Sequence, residues 1–336
     1  MDLKTLTEIN APSGHEQAIR RFLLDELKKL GFAPVLDRMG NVVVVKKGTG
    51  DAPRKRVMVS AHMDEVGLIV TSATEDGYLR IAAAGGIDPR VLVSKRVTVG
   101  EDKLPGVIGA VPIHLQSAAE RKHVLSMDEL LVDIGAKDKD EAERKAPMGT
   151  YISFDTPYVE YGDGFACGKA FDDRVGCLSL LRLLQEELPV DLVACFVSEE
   201  EVGCRGAKGA AFQQEPDIGI VLEGTTCNDL GDVPETAHVC EAGQGVAVSF
   251  MDGASIANRA LFRKALDVAK QENIPHQVKH SVSGGNDGGA IQRAREGVPV
   301  VVLSVPCRYI HSPSSVVKLS DVESQFALVK ALVKAL

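Results

Sequence analysis

The sequence predicts an α/β protein: a three-layer sandwich of a mixed sheet with helices on both faces, interrupted by an inserted β-rich, barrel-like domain. Three observations predict it. Apolar β-branched runs alternate with amphipathic helical stretches towards both ends of the chain. Between residues 67 and 160 the pattern switches to short alternating segments separated by Gly, Pro and charged turns. Acidic and histidine side chains collect at the carboxyl ends of the apolar runs, where open α/β sheets bind their ligands. The predicted division is a main domain in two parts, 1–66 and 161–336, around an insert at 67–160.

Taken in order, Ser13 and Glu16 have the spacing of a capping box, and Ile19, Phe22, Leu23, Leu27 and Leu30 recur at helical intervals up to Gly31. NVVVVKK and RKRVMVSA read as strands, the second ending at His62. In the insert, GLIVTSA, YLRIAAA, RVTVG, GVIGAVPI and YISFD are short strands, with helix-like stretches near SMDELL and KDKDEAERK. After Gly168 the alternation returns. RVGCLSLLRLLQEEL is a helix, DLVACFVS and IGIVLEG are strands, SIANRALFRKALDVAKQE is a helix, VPVVVLSV is a strand and SDVESQFALVKALVKAL is a capped final helix.

Composition narrows the function. The chain has 336 residues and 45% hydrophobic content, enough to bury a large core. Its formal charge of −9, from 38 basic against 47 acidic residues without a basic run, argues against nucleic acid or an anionic membrane as partner. The start, MDLKTLTEINAPSG, has no apolar core of a signal peptide, and no run approaches the roughly 18 residues of a membrane span, so a cytoplasmic location is expected. Seven cysteines between Cys167 and Cys307 show no paired spacing and read as reduced packing residues.

Five stretches carry the chemistry: AHMDE (His62, Asp64), AFDDR (Asp172, Asp173), SEEEVG (Glu200, Glu201), LEGT (Glu223) and RYIHSP (His311). Together they read as a two-metal hydrolase site. Two divalent cations bring four positive charges, which three carboxylates and one bridging hydroxide balance, so such a cluster can sit in a partly dry cleft. His62 and Asp64 project to one face at a strand end, letting Asp64 hold one ring nitrogen while the other binds metal. Asp172 and Asp173 would repel unless a cation absorbs the charge, and capping a helix explains only one of them. Alternation alone sets Glu199 and Glu201 against Glu200 and leaves their register open. Glu223 follows four apolar residues, an awkward burial without a partner. The SGGNDGGAI segment lacks the lysine of a phosphate-binding loop and reads as a tight loop lining the cleft.

AHMDEVG, GKAFDDRVG, EEVG, LEGTT, GGNDGGAI and RYIHSP, in this order across nearly the whole chain, resemble the tetrahedral aminopeptidases, dinuclear metallopeptidases also named glutamyl aminopeptidase and endoglucanase M. The resemblance implies His62, Asp172, Glu201, Glu223 and His311 as metal ligands, Glu200 as general base and Asp64 as the residue orienting His62. It further implies two divalent ions, zinc or cobalt, a phosphorylase/hydrolase-like main domain, an insert serving dimerisation, a peptide substrate with a free N-terminus, and self-assembly as a homododecamer. Glu223 stands where many members have Asp, and Asn286 where many have Thr, which bears on metal preference and on the substrate pocket. Three other readings compete. A glycosidase needs two carboxyls and no histidine-bound metal; a metal-dependent deacylase would act on acylated amino acids; a noncatalytic assembly module would use a closed, thiolate-rich site.

Overall fold

A computed structural model describes residues 2–336. In chain order, the first part holds α1 (Leu3–Thr7), α2 (Gln17–Lys29), β1 (Val35–Leu36), β2 (Val42–Lys46) and β3 (Arg56–His62). The middle holds β4 (Gly67–Ala73), β5 (Leu79–Ala84), β6 (Arg96–Val99), β7 (Leu104–Gly109), β8 (Leu131–Asp133), α3 (Lys139–Lys145) and β9 (Tyr151–Phe154). The rest comprises β10 (Val159–Tyr161), β11 (Phe165–Gly168), α4 (Phe171–Leu183), β12 (Asp191–Val197), α5 (Arg205–Gln214), β13 (Ile218–Thr226), β14 (Val246–Ser249), α6 (Arg259–Gln271), β15 (His276–Val278), α7 (Asp287–Gln292), β16 (Val300–Arg308), β17 (Ser315–Lys318) and α8 (Leu319–Lys334).

The large sheet runs β1-β2-β12-β3-β13-β16-β17-β11-β10, with β14 pairing both β16 and β15. Its centre, β12-β3-β13-β16, is parallel, and antiparallel strands flank it, so the sheet is mixed as predicted. Both faces of the central strands are apolar because both are covered. Val57, Val59 and Ala61 of β3 face a core with α1, α2, α4, α6 and α8. Met58 of the same strand joins Val193, Cys195, Val221 and Ile291 in a second core under α5 and α7. This is the predicted three-layer sandwich.

Strands β4-β5-β8-β7-β6-β9 close into a six-stranded antiparallel barrel around its own core of Leu68, Leu79, Val97, Ile108, Val132 and Ile152. SMDELL is not a helix. Met127–Glu129 form a single 3-10 turn capped by Ser126, and the chain then enters β8, three residues too short to announce itself by periodicity.

Two predicted caps are absent. Ser13 does not cap α2, whose N-cap is Glu16, because its hydroxyl donates to Asp64 instead. Helix α8 begins before Ser320, with Lys318 at the N-cap and no side-chain bond there. Helix α2 does stop where predicted. Gly31 takes φ +85°, its N–H reaches Lys28 O at 3.0 Å, and Phe32 N–H reaches Leu27 O at 3.0 Å.

Candidate metal centre

Parallel pairing aligns the chemistry. Val197 of β12 lies opposite His62 of β3, and Val221 of β13 lies opposite Ser60, so the segments leaving β12 and β3 and the Glu223 end of β13 meet at one edge. Asp172 enters from the start of α4, and His311 from the turn after β16.

The two carboxylate oxygens of Asp172 face different imidazoles. His62 Nε2 lies 3.3 Å from Asp172 Oδ1 and 3.5 Å from Glu223 Oε2. His311 Nε2 lies 3.5 Å from Asp172 Oδ2 and 3.3 Å from Glu201 Oε2. Two donor sets, His62–Glu223 and His311–Glu201, therefore share Asp172. Gly224 N–H donates to Asp172 Oδ1 at 3.1 Å, and the absence of a side chain there leaves room for the approach, since a Cβ at 224 would lie a tight 3.0 Å from that oxygen.

Asp64 organises the other side. It is fully buried, and its carboxylate accepts from Ser13 Oγ at 2.6 Å, Glu200 N–H at 3.1 Å and Glu201 N–H at 3.2 Å. His62 Nδ1 sits 3.2 Å from the Asp64 carbonyl oxygen and 3.5 Å from its Oδ1. Glu199 turns away: it takes φ +55° and pairs with Arg205 at 3.2 Å. Strand alternation does not apply here because β12 has already ended at Val197, and the left-handed residue brings Glu200 and Glu201 to the same site.

The peptide bond between Asp172 and Asp173 is cis. Asp173 has the capping role: its carboxylate accepts Gly176 N–H at 2.9 Å and His62 N–H at 3.1 Å. Lys169 and Arg174 do not offset the acidic pair. Lys169 is buried against Glu65 at 2.8 Å, and the Arg174 guanidinium donates to the carbonyls of Leu6 and Ile9 at 2.6 and 3.2 Å.

Electrostatics sorts these groups. Burial pushes the Glu200 and Glu223 carboxyls up to about 8, with neighbouring carboxylates adding to it and His62 opposing. Burial raises Glu201 in the same way. Burial also works on Asp172, but His311 and His62 outweigh it and hold its carboxyl below the usual range. Burial opposes charge on His62 and His311, yet Asp172 and the other acids raise both, His311 to about 9. Glu223 Oε1 is buried and accepts no hydrogen bond from the described residues. Crowded carboxyls with orphaned oxygens beside two imidazoles are a donor set suited to borderline divalent cations, so the residues fit such ions.

Three contributors, Ser13, Gly85 and Gly86, are not legible in the sequence. Ser13 was masked by its capping spacing. Gly85 and Gly86, between β5 and β6, close against the cluster: a Cβ at 85 would lie 3.3 Å from Glu201 Cβ, and one at 86 would lie 3.5 Å from His311 Nδ1. Asp287 is wholly buried at the start of α7, so the SGGNDGG segment is half loop and half helix, with Asn286 accepting Gly288 N–H at 2.9 Å. The cysteines are free, as expected; five of them are buried.

Mixed sheet, inserted barrel and a carboxylate–imidazole cluster at the strand ends together define a metal-dependent hydrolase of the aminopeptidase class. The chain belongs to the M42 glutamyl aminopeptidase family, which residues 40–328 match. It is accordingly an aminopeptidase. It is 33% identical to the lysyl aminopeptidase of Pyrococcus furiosus over 345 residues, covering 99% of this chain and 96% of that protein. Among solved structures it resembles the TET aminopeptidase of a marine sediment thaumarchaeon, with a TM-score of 0.94, 33% identity and coverage of 99% and 95%. It also resembles the Pyrococcus horikoshii TET1 peptidase, described as assembling into a tetrahedron or a large octahedral shell, with a TM-score of 0.87, 33% identity and coverage of 99% and 98%. Among the described residues, no helix is long and apolar enough to cross a membrane.

Proposed function

We propose that this aminopeptidase removes N-terminal residues from peptides at a centre holding two divalent cations, zinc or cobalt. His62 and Glu223 would hold one cation and His311 and Glu201 the other, with the Asp172 carboxylate shared between the two sets. The single observation that carries this reading is the division of labour in Asp172, with Oδ1 at 3.3 Å from His62 and Oδ2 at 3.5 Å from His311. When bound, such ions lower the pKa of water and polarise the scissile carbonyl.

The chain's own residues do the rest. Glu200 takes a proton from the attacking water and returns it to the departing amine. Asp64 holds the backbone of Glu200 and of its neighbour Glu201 at once, which fixes the stretch that carries both carboxylates. Asp64 also faces Nδ1 of His62, which leaves Nε2 directed at Asp172 and Glu223. Assembly as a homododecamer is supported by the likeness to the shell-forming TET1 peptidase; a dimerisation role for residues 67–160 and a cytoplasmic location, both expected from the sequence, complete the proposal.

The experiment is a chelation and substrate series. Activity on peptides with a free N-terminus is expected to vanish on dialysis against a chelator and to return with cobalt or zinc at two ions per chain. N-terminally blocked peptides are expected to resist. Hydrolysis of acylated amino acids in preference to free peptides would transfer the site to deacylation, and full activity without bound metal would end the metal reading.

A further inference from the structure

Asp287 is the anomaly of the cleft. It is 0% exposed, and neither of its carboxylate oxygens accepts a hydrogen bond from the described residues. The other aspartates of the site are each provided for: buried Asp64 by Ser13 and two backbone N–H groups, buried Asp173 by two backbone N–H groups, and half-buried Asp172 by Gly224 N–H. An unpartnered buried carboxylate is among the more costly arrangements a protein keeps. What lies in front of it is informative. The Cys204 thiol sits 3.3 Å from Glu200 Oε1, and one donor atom each from Glu200, Cys204 and Asp287 fall within 4.8 Å of one another.

We propose that Glu200, Cys204 and Asp287 form a further cation site, distinct from the His62 and His311 sets, that takes a thiophilic divalent ion such as zinc, cadmium or cobalt and inhibits the enzyme when occupied. Tetrahedral metal–ligand bonds of about 2.0–2.3 Å separate donor atoms by about 3.3–3.8 Å, a spacing that Cys204 Sγ and Glu200 Oε1 meet at 3.3 Å. The thiol selects borderline ions over magnesium or calcium. On binding, Cys204 releases its proton to solvent, as does Asp287 where it holds one, and the cation takes the vacated sulfur and oxygen lone pairs. Inhibition follows because a cation bound to the Glu200 carboxylate withdraws its charge and lowers its basicity, so that it no longer takes the proton of water. That consequence rests on the proposed role of Glu200; occupation of the site does not.

The test is equilibrium dialysis of the intact protein against rising cobalt(II), followed by absorption spectroscopy and assay. A third ion per chain is expected beyond the first two, bringing a thiolate-to-cobalt charge-transfer band in the near ultraviolet together with loss of peptidase activity. Cys204→Ser should retain activity at two ions, lack the band and tolerate about tenfold more metal before inhibition. Asp287→Asn should weaken the third ion in the same direction with the band reduced at a given cobalt concentration. Saturation at two ions without a charge-transfer band at any excess, or a band that survives in Cys204→Ser, overturns the site. A band lost in Cys204→Ser alongside an unimpaired Glu200→Gln enzyme would leave the site standing and remove Glu200 as base.

Discussion

Asp64 Oδ1 accepts the backbone N–H of Glu200 at 3.1 Å, joining the segments that leave two adjacent parallel strands, β3 and β12. Through that bond a fully buried carboxylate sets the position of the residue proposed as the general base. The charge of Asp64 is itself stabilised in place. Burial opposes it, but His62, Ser13 and the Glu200 amide outweigh burial and keep its carboxyl below the usual range.

Replacing Glu200 by Gln keeps size and shape while removing the proton acceptor. Turnover should fall by about a hundredfold or more, with KM and metal content near wild type. Steady-state kinetics paired with elemental analysis reads both, and full turnover in the variant sinks the assignment.

Asp64→Asn keeps the outline of the side chain but turns one acceptor into a donor, facing either Glu200 N–H or the Ser13 hydroxyl together with Glu201 N–H. Metal affinity should drop by about tenfold to a hundredfold, as for the loss of a residue supporting a metal ligand. Competition with a graded chelator measures it. Affinity equal to wild type would show that His62 is oriented by other groups.

Gly85 takes φ +100°, and a Cβ there would lie 2.9 Å from Val66 Cγ1 and 3.3 Å from Glu201 Cβ. Gly85→Ala should cost about 1–3 kcal/mol of stability and displace Glu201. Thermal unfolding together with metal affinity checks both effects; an unchanged melting temperature contradicts the strain.

Asp229 anchors the approach to His311 by a bidentate pair with Arg308, at 2.8 and 2.7 Å. Burial raises its carboxyl, but Arg308 outweighs that and lowers it from 3.8 to about 2. A depressed folded value means that the stabilisation is fully present above pH 3.8 and is lost as pH falls through about 2. The wild type should exceed Asp229→Asn by about 2 kcal/mol at neutral pH, the gap closing as the medium becomes acid. Denaturant unfolding across that pH range decides it, and a gap that persists at the acid end counts against the pair.

Much of the fold was legible because its strongest elements are long and periodic. β3, β12, β13 and β16 are apolar runs closed by turn residues, and α2 repeats Ile19, Leu23 and Leu27 on one face. β8 escaped because three residues carry no period, and α7 because its glycines read as loop. The caps at Ser13 and Ser320 failed for different reasons: the Ser13 hydroxyl has a tertiary partner in Asp64, and α8 starts one residue before Ser320.

By itself the sequence determined which residue types stand at the strand ends, and with them the class of chemistry: imidazoles and carboxylates in excess of any basic partner call for cations wherever they are buried together. Only the tertiary structure decided which atoms face one another. The two oxygens of Asp172 divide between His62 and His311, Glu199 turns outward while Glu200 and Glu201 turn in, and Asp287, grouped with Cys204 and Glu200, accepts no hydrogen bond from the described residues. The reason is that residues 62, 172, 201, 223 and 311 belong to separate elements, and their distances are set by strand register and by turns in left-handed conformations. Neither leaves a trace in local periodicity.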